Sequence, residues 1–180
     1  MVSYSNDQWL GFTPIFNAPS LFYSLYLALR PVWEKHVQGA PGVITEFWRS
    51  MAETQFSIRH PILRPDNLHW SIPLGFHGDA GSFSHQESVF LFSWNSLVGA
   101  GPPTKRFLFT LIKKSEMVAG TIDEILRLFA WSINACQTGE LPSRNHLDIP
   151  QVGNMDPLAG GFRGTLIPIR GDWEFHIQVF

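Results

Sequence analysis

Two Gly-Asp steps carry the residue types best suited to chemistry in this chain. Gly78-Asp79 follows the alternating apolar run through Trp70, Ile72, Leu74 and Phe76, and Gly171-Asp172 follows the strand-length run from Gly164 to Arg170. A carboxylate just past the carboxyl end of a strand stands where the ligand sites of α/β sheets gather. Two of them converging there could hold Mg²⁺ or Mn²⁺, which favour hard oxygen ligands. Such an ion activates water or a 3′-hydroxyl for in-line attack on a phosphodiester. Asp79 and Asp172 are therefore the candidate catalytic and metal-binding residues. A plainer reading competes with this one, because Gly-Asp is also a common turn dipeptide: glycine supplies positive φ and aspartate bonds its own backbone.

Other residues offer less. His77-Gly78-Asp79 has the His-x-Asp spacing that, joined by a distal His146 or His176, would make a two-histidine-one-carboxylate iron site and a small oxygenase. His60 and His85 are solitary and read as structural histidines. Glu124 reads as the capping-box partner of Thr121 rather than an acid catalyst. Cys136 lies on the apolar stretch of a predicted helix and reads as a small buried residue. The chain has no Cys-x-x-Cys pair, no phosphate-binding glycine-rich loop and no Gly-x-Ser-x-Gly elbow, which removes support from phosphate-loop nucleotide chemistry and serine hydrolysis.

The elements that must position the two aspartates follow from periodicity. Residues 1–66 read as an N-terminal helical and irregular extension. Within it, Ser20 to His36 is a helix capped by Ser20, with Pro31 breaking or kinking it after Leu21–Arg30. The segment from Val43 to Arg59 is a second helix, and His60-Pro61 and Arg64-Pro65-Asp66 mark an extended linker. Residues 67–180 read as an α/β domain. Strands are predicted over Leu68–His77, Ser88–Trp94 and Arg106–Lys113, joined as a meander, with Gly99-Ala100-Gly101-Pro102-Pro103 as the second connection. A helix opened by Thr121-Ile122-Asp123-Glu124 runs to Thr138-Gly139. Glu140 to Gly161 is an aperiodic loop of about twenty residues, long for a compact domain. The last strand, Gly164–Arg170, holds Pro168, which argues for an irregularity or an edge. If the helix crosses over so that this strand lies parallel to the first and beside it, Asp79 and Asp172 face one another at one end of the sheet.

The order β-β-β-α-β with these aspartates resembles the ribonuclease H-like fold of polynucleotidyl transferases, including the acidic-triad transposases and integrases. More narrowly, Pro73-Leu74-Gly75-Phe76-His77-Gly78-Asp79 and Arg170-Gly171-Asp172-Trp173-Glu174 are similar to the first and second acidic motifs of transposases from eukaryotic mobile elements. The resemblance covers about residues 68 to 175 and implies a metal-dependent, DNA-processing domain. In it Asp79 and Asp172 would take the first two metal-ligand roles, with Mg²⁺ or Mn²⁺ as the cofactor and DNA as the partner. The third acid of that family sits on a later helix, so the expectation is a sheet incomplete at the C-terminus: a truncated or domesticated derivative, weakly active or inactive. The alternative is a non-catalytic interaction or remnant domain.

Bulk properties set the remaining bounds. The chain has 180 residues, 44% of them hydrophobic, 14% aromatic and only 16% charged, with a net charge of −2. The low charge and aromatic excess describe a protein that buries much of itself or adheres to something. Trp70, Phe76, Phe90, Phe92, Trp94, Phe107, Phe109 and Trp131 read as the core of a sheet packed on helices. The basic pairs Lys105-Arg106 and Lys113-Lys114 are the local concentrations of positive charge, and the whole gives no footprint for tight nucleic-acid binding. No apolar run reaches the ~20 residues of a membrane span. The N-terminus lacks a secretory signal pattern, and one cysteine allows no internal disulfide framework, which points to an intracellular, reducing setting, nucleus or cytoplasm.

Overall fold

The computed structural model describes residues 15–52, 54, 60, 63–82, 87–101, 105–140, 142–150 and 157–171. In these, helix α1 (Ala18–Ala28) is followed by a short helix α2 (Arg30–Trp33), which runs into a π-helical turn (Glu34–Gln38), and by α3 (Val43–Ser50). Strands β1 (Ser71–Ser82), β2 (Ser88–Ser96) and β3 (Phe107–Lys113) come next. Helix α4 (Thr121–Thr138) then leads to β4 (Arg163–Gly171). The sheet has the order β3-β2-β1-β4. Its first three strands are antiparallel, and β4 returns parallel to β1. The fold is mixed α/β, and the β-β-β-α-β order read from periodicity is present.

The ends of the elements differ from expectation for local reasons. Helix α1 is capped by Asn17, whose side-chain oxygen accepts the Ser20 N–H at 2.9 Å, so Pro19 and Ser20 lie inside the first turn. The helix stops at Leu29 (φ −125°, ψ 47°), and Pro31, which cannot donate a backbone bond, sits in the first turn of α2. Helix α3 ends at Ser50, well before Arg59; Ser50 and Thr54 hydroxyls bond the Phe47 and Met51 carbonyls behind them. Residues 55–59 of that expectation fall outside the described residues. Thr121 does not open a capping box. Gly120 (φ 86°) precedes the helix, Thr121 Oγ1 accepts the Val118 N–H, and the Glu124 carboxylate pairs with Arg127 at 2.7 Å. Gly139 (φ 73°) ends α4 in the left-handed conformation that favours glycine.

Two further corrections concern the sheet and the long loop. A single 3₁₀ turn, Leu68–Trp70, takes the start of the first predicted strand, and β1 then continues five residues past His77. The reason is the ladder with β2, which runs unbroken to Ser82↔Ser88. Gly78-Asp79 is therefore inside a strand and is neither a turn nor a strand terminus. The segment after α4 is also less open than its composition suggests. Asn145, 8% exposed, accepts the Leu147 and Ile149 N–H groups on one side-chain oxygen, and the isolated bridges Glu140↔Pro157 and Arg144↔Pro150 tie the segment together. Pro168 meets both halves of its expectation. It lies where the β1–β4 register shifts, and β4 is the outermost strand of the described sheet on its side.

The core lies on one face of the sheet. Ile72, Leu74 and Phe76 of β1 and Phe90, Phe92 and Trp94 of β2 are buried there, with Phe22 of α1 against Trp94 and Phe129 of α4 stacked on Phe76 at 3.6 Å between ring centroids. Trp33 of α2 and Trp48 of α3 belong to the same cluster. Gly164 allows the close approach of α4 to β4, since a Cβ there would sit 2.7 Å from Leu74 Cδ1 and 3.1 Å from Cys136 Cβ. Cys136 is fully buried, which pushes its thiol far above its ordinary range and fits its reading as a small core residue. Trp70 departs from the expected core: it is 40% exposed and meets Phe162 edge-on at the margin. No helix among the described residues is long and apolar enough to cross a membrane.

Candidate functional site

Asp79 stands on the face of the sheet opposite the core. Side chains alternate along a strand, so Phe76 faces α4 while Gly75, His77 and Asp79 face away. Their partners across the β2 ladder are Asn95, Ser93 and Leu91. On the other side, the parallel ladder pairs His77 with Arg170 and Gly78 with Gly171. The parallel pairing of the first and last strands expected from strand order is present, and it sets the glycine of the first Gly-Asp step, Gly78, level with that of the second, Gly171. Asp172 lies outside the described residues, being the next residue in the chain after Gly171.

The groups around Asp79 are polar and partly buried. Asp79 is itself exposed and makes no salt bridge among the described residues. His77 is 5% exposed, and its Nε2 lies 2.7 Å from Asn95 Oδ1, an arrangement that requires the proton on that nitrogen. Burial pulls the His77 pKa below the ordinary histidine value. The Asn95 bond and Asp79 oppose the shift, while Arg106 and Arg170 add to it. Gly75 leaves space for this pair: a Cβ there would stand 2.8 Å from Asn95 Oδ1 and 3.4 Å from His77 Nε2.

Beside this cluster a groove of about 360 Å³ opens between β2, the end of β4 and the connection after β2. Asn95 and Ser96 lie at its buried side, Phe47 of α3 forms an apolar wall, and Lys105 and Arg170 are exposed at its rim. The Gly99–Gly101 loop and His36 complete it. Gly99 is required here, because a Cβ would collide with the His36 carbonyl oxygen, and the Ala100 N–H donates to the Lys35 carbonyl at 2.6 Å. The sequence registers Lys105-Arg106 as a basic pair and Gly99–Gly101 as a connection. It gives no sign that a chain segment 64 residues earlier, at His36, meets the same loop.

The chain matches no protein-family model, no curated protein and no solved structure. What it can do is read from the geometry. Among the described residues no group of three or more histidine, cysteine, aspartate or glutamate side chains is placed to hold a metal. His77 and His146 are not brought together. His146 packs its ring against Trp131 of α4, behind the core face, whereas His77 looks the other way. His85 and His176 fall outside the described residues, while His60 accepts the Leu63 N–H at 3.3 Å in a structural role. Asp79 offers a single exposed carboxylate, a hard oxygen donor, on this face. Mg²⁺ keeps several waters and is commonly held by only one or two protein carboxylates together with substrate phosphates.

Proposed function

We propose that this chain carries a metal-dependent nucleic-acid-processing site of the ribonuclease H-like, transposase-derived kind, with Asp79 and Asp172 as ligands of Mg²⁺ or Mn²⁺ and DNA as the substrate. The observation that carries the reading is the parallel β1–β4 pairing, which sets Gly78 opposite Gly171 and leaves each followed in the chain by an aspartate. The strand order β3-β2-β1-β4, with a helix crossing from β3 to β4, supports the same fold relationship. When bound, the ion would supply activation of water or a 3′-hydroxyl against a phosphodiester. The chain's own part would be to supply two carboxylates, each next in sequence to one glycine of the paired Gly78 and Gly171, and to place Arg170 and Lys105 where they attract a polyanion.

Calorimetric titration with Mn²⁺ tests the pair. The wild-type chain is expected to bind, and Asp79→Asn and Asp172→Asn are each expected to weaken binding by about tenfold or more, because ligand charge count sets the affinity of hard cations. Asp79 is exposed and unpaired among the described residues, so Asp79→Asn should leave the fold intact. Equal Mn²⁺ binding by wild type and both variants would remove the metal site and leave a non-catalytic interaction domain in its place.

A further inference from the structure

We infer that the groove between Lys105, Arg170 and His36 is a binding site for one phosphate group, and that the phosphate it takes is a backbone phosphodiester of a single nucleic-acid strand. The inference deepens the proposed function and rests on it for the identity of the polymer; the phosphate site itself stands on the groove alone.

Three observations carry it. The first is charge. Lys105 and Arg170 both reach the groove, and among the described residues no acidic residue lines it and neither cation makes a salt bridge. The second is construction. His36 Nδ1 donates to the Ala100 carbonyl at 3.0 Å, which turns Nε2 toward Lys105 Nζ, 3.5 Å away. The close contact of Gly99 with the His36 carbonyl fixes the loop against the π-helical turn, so His36, with Lys105 Nζ against its ring, stands on a braced wall, and Arg170 faces it from β4. The third is size. A volume of about 360 Å³ is at the small end of ligand sites, enough for a phosphate with its sugar and too small for a duplex. Arg170 also lies directly before Gly171 and opposite His77. A strand held at the groove would therefore run past Asp79.

The experiment is an amide and histidine-ring NMR titration of the full chain, without metal, first with inorganic phosphate, then with acetate, then with a single-stranded oligodeoxynucleotide. Phosphate and the oligonucleotide are expected to shift Gly99, Ala100, Gly101 and His36, and acetate is not. Lys105→Gln and Arg170→Gln should each weaken both by about tenfold, the worth of one charge-assisted contact. Each should also lower the slope of log affinity against log salt for the oligonucleotide by about 1. Equal shifts with acetate would overturn the choice of phosphate. Shifts with inorganic phosphate alone would overturn the strand, and unchanged affinity in both variants would overturn the site. Mn²⁺ titration of the same proteins separates this from the metal reading. Lys105→Gln should bind Mn²⁺ as wild type does, and Asp79→Asn should keep its phosphate shifts.

Discussion

The two faces of the sheet are built from the same strands and have opposite chemistry. On one, Ile72, Leu74, Phe76, Phe92 and Trp94 are buried beneath α1 and α4. On the other, one residue along in each strand, stand Gly75, His77, Asp79, Ser93 and Asn95, with Arg170 level with His77 on β4. The first face is what hydrophobic burial alone would select. The second carries costs that burial would not select. Ser93 Oγ is buried without a hydrogen-bond partner among the described residues, a cost of about 1–3 kcal/mol that the core side also bears at Trp94 Nε1 and Ser132 Oγ. A histidine is buried beside two cations, and a glycine holds a mid-strand position where a larger residue would usually add packing. What sets the polar face apart is the buried histidine and the mid-strand glycine together, a departure from packing expected where a surface is shaped for a ligand.

The largest effect expected from breaking this contrast comes from the core face. Phe76→Ala removes a ring stacked on Phe129 and within 6.2 Å of Phe109, and should cost about 3–5 kcal/mol in urea unfolding. Asp79→Ala, three positions further along the same strand on the opposite face, should change stability by no more than about 0.5 kcal/mol. Comparable losses in the two variants would erase the division between a structural face and a functional one.

A smaller effect tests how tightly the polar face is made. Gly75→Ala would place its methyl carbon 2.8 Å from Asn95 Oδ1 and 3.2 Å from Leu97 Cδ2. Asn95 is held by His77 and by donation of its Nδ2 to the Ser96 carbonyl, so the substitution should cost about 1–3 kcal/mol and displace the His77–Asn95 bond. Proton NMR checks this through the His77 ring, which should shift while the Phe76 ring does not. If the His77 signals stay in place, the polar face has slack and Gly75 is there for another reason.

The core face was legible in the sequence, and the polar face was legible only in part. Strict alternation through Ile72, Leu74 and Phe76, and the apolar runs of β2 and β3, specify strands and the side they bury, because a period of two is a backbone property. The parallel return of β4 could be expected from a helix lying between strands. What periodicity does not carry is the length of a ladder. The run past His77 contains Gly78, Asp79, Gly81 and Ser82, which reads as a turn, yet pairing with Ser88 to Phe92 holds it extended. Helix caps failed for a related reason: Thr121 and Ser20 are good cap residues, and Gly120 and Asn17 took those positions through local geometry. The groove was invisible because His36, Lys105 and Arg170 come from three distant segments. The Gly99–Gly101 loop brings the first two together, through the close approach of Gly99 to the His36 carbonyl and the bonds of Ala100 to Lys35 and His36.

The smallest effect separates the faces by pH. His146, against Trp131 on the outer side of α4, and His60, whose Nδ1 accepts the Leu63 N–H, both have pKa values lowered from 6.5, chiefly by burial. Near His146, Glu124 opposes that shift and Arg127 adds to it. A folded-state pKa below the unfolded one means that the unfolded chain takes the proton first as the solution is acidified. The stabilising contribution is thus complete above 6.5 and is lost as pH falls from there toward the folded-state value. Urea midpoints should therefore decline on moving from about pH 7.5 to about pH 5, and the double variant His60→Gln, His146→Gln should decline less. His77, buried on the polar face, is lowered in the same direction. If the double variant loses stability with acid as steeply as wild type, the proton-sensitive contribution lies on the polar face, with His77. The same groups that make that face costly to fold would then make it the acid-labile side of the sheet.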